Sequence, residues 1–176
     1  ITFSNSYYFE KKGWSGFAIE PNPKIFANLV ANRNCQLINA GIGSEETKQT
    51  FRAIEDPVSM LSCFIDNIDI RHIQRIEEEV LHANCKYTDI EVSCISFNKL
   101  LSNKNIKKID YLSIDVEGLE FEILKSIDFQ NLEIAAVSVE NNYKDYRIPE
   151  IMERANFKLM AMIGDDNIFL SKRITF

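Results

Sequence analysis

Four carboxylates crowd one short stretch of this chain. The run "IDYLSIDVEGLEFEIL", Ile109 to Leu124, begins as apolar sequence and then brings Asp115, Glu117, Glu120 and Glu122 within eight residues. An unpaired charge at the edge of an apolar core is costly. Such acids either point into water from a helix or hold something. Asp115 ends the apolar run and precedes a helical one. It reads either as a cleft carboxylate, contacting cofactor, metal or substrate, or as a helix N-cap. Glu117 reads either way, at the site or outside it. Glu120 and Glu122 fall in a first helical turn, where negative charge suits the helix dipole, and are expected on its wet faces. Gly118 lets the backbone turn tightly or approach a ligand.

Three further places could do chemistry. Glu20 closes the apolar run "GFAIE". An acid ending a strand in a βα unit can accept hydrogen bonds from both ribose hydroxyls, a role that serves nicotinamide cofactors and S-adenosylmethionine alike. The alternative is a cap for the helix starting near Pro23. "EIAAVSVENN" ends in Glu140, Asn141 and Asn142. Adjacent parallel strands lie about 4.8 Å apart, so Asp115, Glu140 and Asn141 could share one ion. Two carboxylates and an amide suit Mg²⁺, completed by water and substrate oxygens. Equally, Asn141 and Asn142 suit loop capping and turn hydrogen bonds. His72 is a candidate general base, set against the ordinary fate of a helical histidine, solvated or packed. Neither a nucleophile elbow nor a phosphate loop is present.

The elements that must position these groups are legible as alternating strands and helices. Ser6 to Lys12 reads as a helix and residues 16–20 as a buried strand. "PNPKIFANLVANR" is a helix with Asn22 at its cap and Pro23 in its first turn. Its apolar stripe is Ile25, Phe26, Leu29 and Val30. "CQLINAGIG" reads as one strand, while "KQTFRAI" and "VSMLSCFI" read as a strand pair off the main sheet. Ile70 to Leu81 is amphipathic and helical. "DIEVSCISF" is a strand leading into a short helix. Ile109 to Ile114 is a strand and Leu119 to Ile127 a helix. Residues 133–140 form a nearly unbroken apolar run, the mark of a parallel strand covered on both faces. Pro149 to Ala155 is helical, and "FKLMAMIG" and "NIFLSKR" close the chain as a hairpin. Trp14 is expected under the sheet. This alternation predicts an α/β fold, a Rossmann-like, doubly wound and mostly parallel sheet with a C-terminal antiparallel strand. No linker or repeat divides the chain, so 1–176 reads as one domain, with 47–94 as an insertion-like segment shaping an acceptor pocket. Ligands of such sheets bind beyond the carboxyl ends of the strands, where Glu20, Asn39, Ala40, Asp115 and Glu140 fall.

Composition bounds the partners. With 45% hydrophobic and 26% charged residues, the chain is of ordinary globular type. Its net charge of −6 argues against a protein that coats nucleic acid or an anionic membrane. No apolar run approaches the roughly 20 residues of a membrane span. The cysteines at 35, 63, 85 and 94 have no zinc spacing and sit mostly in apolar runs, which suits reduced thiols in a cytoplasmic compartment. No feature sets an oligomeric state.

The segments "GWSGFAIEPNPKIFANL", "LINAGIGS", "IDYLSIDVEGLEFEILKSIDF" and "VSVENNY" together resemble the FkbM-type methyltransferases, a branch of the class I S-adenosylmethionine-dependent enzymes. The resemblance implies an O-methyltransferase acting on a hydroxyl of a sugar or other small molecule. It implies that Glu20 binds the cofactor ribose, that Asn39 and Ala40 lie near the adenine, and that Asp115 faces the methionine end and the acceptor, with Glu117 beside it. Asp115, Glu140 and Asn141 also look like the Mg²⁺ ligands of catechol-type O-methyltransferases. Enzymes of this kind open with a strand and a Gly-rich loop of the "D-x-G-A-N-D-G" kind. This chain opens at "ITFSNSYYFEKKGW", which looks like the residues after that loop, with Ser4 and Asn5 beside the cofactor. The expectation is therefore an N-terminus cut before or within the loop, with the first strand missing. A nicotinamide-dependent oxidoreductase and a non-catalytic remnant of the fold are the alternatives.

Overall fold

The computed structural model describes residues 4–66 and 68–173. The expectation about how the chain starts, at Ile1, lies outside them. The first unit is a βαβ crossover. Strands β1 (Phe17–Ile19) and β2 (Gln36–Ile38) pair in parallel, joined by helix α2 (Pro23–Asn32). The Asn22 side chain caps α2 by accepting from the Lys24 and Ile25 N–H groups, and Pro23 occupies the first turn, where its missing donor costs nothing. Helix α1 (Tyr7–Lys11) precedes this unit. An ion pair ties α1 to the end of α2, with Arg33 Nε donating to Glu10 Oε2 at 2.6 Å.

Two four-stranded sheets follow. The first takes the order β3 (Gly41–Gly43), β6 (Tyr87–Ser96), β4 (Thr47–Ile54) and β5 (Cys63–Phe64). Here β3 runs parallel to β6, and β4 antiparallel to both its neighbours. Helix α3 (Ile70–Ala83) buries Ile76 against Ile54, Leu61 and Cys63. The second sheet takes the order β7 (Lys108–Ile114), β8 (Glu133–Glu140), β10 (Asp166–Ser171) and β9 (Phe157–Ile163). β7 and β8 are parallel, and β10 is antiparallel to β8 and β9. Its core joins β8, fully buried at Val137 and Val139, to α4 (Phe97–Asn103), α5 (Glu120–Ser126) and α6 (Arg147–Arg154). The apolar run of β8 is therefore the covered strand that its sequence implied.

The protein is α/β with mixed sheets, and several expectations change. The strands of the described residues fall into three sheets, of two, four and four strands, where one wound sheet was expected. "CQLINAGIG" splits at Asn39–Ala40. Asn39 Nδ2 donates to the carbonyls of Glu20 and Pro21, ending the β1–β2 ladder, and Gly41–Gly43 pairs instead with Cys94–Ser96. "VSMLSCFI" holds a 3₁₀ turn at Ser59–Leu61 and only a two-residue strand. Val30 is 57% exposed, outside the expected stripe of α2. Trp14 is 46% exposed and stacks on Phe9 at 4.8 Å. Among the described residues the four cysteines are free, with Cys63 and Cys94 buried. No described helix is long and apolar enough to cross a membrane.

Candidate functional site

The acidic run is organised by Glu120, which is not solvated as expected but only 7% exposed. Glu120 Oε1 accepts the N–H groups of Val116 (3.1 Å) and Gly118 (3.0 Å). This folds the Val116-Glu117-Gly118 segment into a tight loop between β7 and α5. Glu117 and Gly118 both take positive φ, 54° and 105°. At Gly118 a side chain would be strained by this φ, although its Cβ would meet Ile68 at no less than an ordinary contact distance of 3.4 Å. The loop turns the Glu117 side chain inward, while Glu122 stays exposed, as expected. Asp115 does not cap α5. The N-cap is Leu119, and no side chain caps it.

Asp115, Glu117 and Glu140 each place a carboxylate oxygen within 4.8 Å of the other two. The parallel register of β7 and β8 causes this, because Ile114 pairs with Val139 and the next residues leave both strands together. Across the sheet, Asp166 of β10 stands directly opposite Glu140. Burial first, then the charge of Asp115, pushes Glu117 up to about 8. The same causes in the same order push Glu140 up to about 8. Asp115 is exposed at the mouth of the site. Its carboxyl is still held above the usual range, by the surrounding protein first and by Asp166 next, while a hydrogen bond with Glu140 works the other way. Three acids converge here, and a cationic group stands near them. Arg75 Nη1 stands 3.8 Å from Glu117 Oε2, beyond hydrogen-bond reach.

His72 supports this cluster from below and is not placed to act as a base on an acceptor. It is fully buried. Nε2 faces the Leu61 carbonyl at 3.4 Å and Nδ1 faces the Tyr143 hydroxyl at 2.9 Å. A carbonyl only accepts, so Nε2 carries the proton and Nδ1 accepts from Tyr143. Burial holds the imidazole below its usual pKa, hence neutral. Its Nδ1 lies 3.6 Å from Glu117 Oε2, and that oxygen has no hydrogen-bond partner. Asn141 also leaves the expected metal set. Its Oδ1 accepts from the Asp145 N–H and its Nδ2 donates to the Asp145 carbonyl, so the amide serves its own loop, while Glu117 joins Asp115 and Glu140.

Glu20 ends β1 and accepts the Asn22 N–H at 2.7 Å through one oxygen. Burial raises its carboxyl to about 7, the Asn22 bond opposes this, and the charge of Asp115 adds to it. That last cause sets Glu20 within electrostatic reach of the β7 end. Asn39 joins the ends of β1 and β2, and Ala40 is buried beside it. Asn5 Nδ2 donates to Ser113 Oγ at 3.3 Å, two residues before Asp115. Ser4 Oγ accepts from the Tyr7 N–H and from Arg33 Nη1, which anchors α1. A recess opens beside the cluster, rimmed by Asp69, Gly118, Asn141 and Tyr143.

Sequence reasoning missed Glu120, Arg75, Tyr143 and Asp166. The Gly118–Glu120 spacing held the only signal for the first, a carboxylate two residues beyond a tight turn. Arg75 shares a helical face with His72, three residues away.

The chain matches the methyltransferase FkbM domain over residues 1–159. No curated protein and no solved structure matches it. The family match spans the βαβ crossover, the acidic loop and the strand end at Glu140, and so the chain belongs to the FkbM-domain methyltransferase family.

Proposed function

We propose that this protein is an S-adenosylmethionine-dependent O-methyltransferase acting on a hydroxyl of a sugar or other small molecule. The observation that carries this reading is the meeting of acids at the carboxyl ends of β7 and β8, with Glu20 at the carboxyl end of β1, in a chain of this family. The cofactor is a cation at its sulfonium and its ammonium. A cleft with surplus carboxylates complements that charge.

Glu20 accepts hydrogen bonds from the ribose hydroxyls through the carboxylate oxygen that Asn22 leaves free. Asn39 and Ala40 lie beside the adenine, and Ser4, Asn5 and Glu117 toward the methionine end. Asp115 is the base. It is exposed at the end of β7, and the surrounding protein first and Asp166 next hold its carboxyl above the usual range, which makes it a stronger base than a free aspartate. His72 acts through Tyr143, whose hydroxyl it holds at 2.9 Å on the rim of the recess, as a positioning residue. Holding the hydroxyl in line with the methyl group supplies most of the acceleration.

The test is transfer of labelled methyl from S-adenosylmethionine to a panel of saccharide and small-molecule hydroxyls. Asp115→Asn is expected to lose on the order of 10²-fold or more in turnover while still binding cofactor. Undiminished turnover in Asp115→Asn removes it as the base. Absence of cofactor binding in the wild-type protein favours a non-catalytic module.

A further inference from the structure

We propose that Asp115, Glu117 and Glu140 hold one hard divalent cation of the Mg²⁺ or Mn²⁺ kind. The set differs from the sequence expectation by one residue, and the exchange matters. A carboxylate on a locked loop replaces an amide that its own loop has already engaged. Around an ion with oxygens at about 2.1 Å, neighbouring ligands stand about 3 Å apart and opposite ones about 4.2 Å; at about 2.4 Å the opposite pair is about 4.8 Å apart. The three oxygens here lie within 4.8 Å of one another, which is the limit for the larger ion and leaves them to draw in around Mg²⁺ or Mn²⁺.

A cluster of acids alone would not make a site. The independent observation is Glu117 Oε2. The residue is 9% exposed, and this oxygen has no hydrogen-bond partner. Its nearest nitrogens are the His72 Nδ1 at 3.6 Å and the Arg75 Nη1 at 3.8 Å. The first is engaged by the Tyr143 hydroxyl at 2.9 Å, and both stand too far away to donate. An orphaned buried oxygen calls for a partner. The fold keeps it there, since Glu120 and Gly118 lock the loop that aims Glu117 inward. The donors are all carboxylate oxygens, which selects Mg²⁺, Mn²⁺ or Ca²⁺ over softer metals. Three protein ligands leave positions for water or an acceptor oxygen, and exposed Asp115 gives access to them.

The site rests on its own geometry, so binding is measured without cofactor or acceptor, and methyl transfer can fail as a reading while the site holds. The probe is Mn²⁺, followed by electron paramagnetic resonance on the whole chain, with Mg²⁺ as competitor. One Mn²⁺ per chain is expected, displaced by Mg²⁺. Affinity should fall at least about tenfold in Glu117→Gln and in Asp115→Asn. Glu91→Gln, on the exposed face of β6, is expected to bind as the wild type does. Asp115→Asn guards against misfolding, since Asp115 is exposed and caps no helix. Absence of Mn²⁺ binding, or equal binding by wild type and both site variants, overturns the proposal.

Discussion

Glu10 and Glu117 both have side chains mostly out of water, 9% and 11% exposed. Glu10 accepts from Arg33 Nε at 2.6 Å and from the Asn34 N–H at 2.9 Å. The Asn34 bond first and the Arg33 bond second hold its carboxyl well below the usual range, at about 2. Glu117 has a bare oxygen, like charges beside it, and a carboxyl pushed up to about 8. The first acid is satisfied by its own fold and needs nothing more. The second is held by Glu120 and Gly118 in a place the fold alone does not satisfy. Burial is thus no guide to purpose for a charged group. The completeness of its partners is.

This difference can be broken from either side. The largest effect is expected at the satisfied end. Arg33→Met strands Glu10 and also removes the donor to Ser4 and Ser6. Urea unfolding should show a loss of about 3 kcal/mol, and a loss below about 0.5 kcal/mol would mean the pair is ornamental.

Gly118→Ala should come next, at roughly 1–3 kcal/mol, because φ of 105° suits glycine alone. It should also weaken cation binding, since the same loop aims Glu117. Unchanged Mn²⁺ affinity in this variant would separate the loop from the site.

Titration sharpens the comparison, because the two acids act with opposite sign. The folded pKa of Glu117 lies above its ordinary value of 4.5, so the fold favours the protonated form. Its contribution is complete below pH 4.5 and is lost as pH rises through about 8. Glu117→Gln should therefore be more stable than wild type at pH 8.5, by at least about 1 kcal/mol, and Mg²⁺ should narrow the gap. Glu10 runs the other way. Its folded pKa is depressed, so its contribution is present above pH 4.5 and is lost as pH falls through about 2. An acid melt of Glu10→Gln should be flatter than that of wild type over that window. Parallel curves in either experiment would contradict the assigned partners. The smallest effect is expected at Lys48–Glu91, a pair 66% and 65% exposed, where Lys48→Ala should leave the urea midpoint where it is in wild type.

The contrast also explains which parts of the molecule were legible in the sequence. Elements whose signal is local came through: the Asn22-Pro23 start of α2, the covered run of β8, the closing hairpin. What depended on pairing between distant segments did not. Asn39 ends one ladder by bonding the carbonyl of Glu20, nineteen residues back, and nothing near Asn39 announces it. The Asp166–Glu140 opposition is a matter of register. At the site, Asp115 and Glu140 were legible because strand ends are predictable places for ligands. Glu120 was misread because a first-turn acid ordinarily faces water, and here the two N–H groups of the preceding loop draw it inward. His72 looked like a base because histidine often is one, but its burial under Glu117 follows from the docking of α3.

The central claim is that the acids at the strand ends are there to bind. Calorimetric titration of S-adenosylhomocysteine into wild type and Glu20→Gln tests it most directly. The account predicts saturable binding by wild type, weakened more than about tenfold in Glu20→Gln with the same melting behaviour at pH 6. Equal affinity in the two proteins, or no binding by wild type, would contradict it.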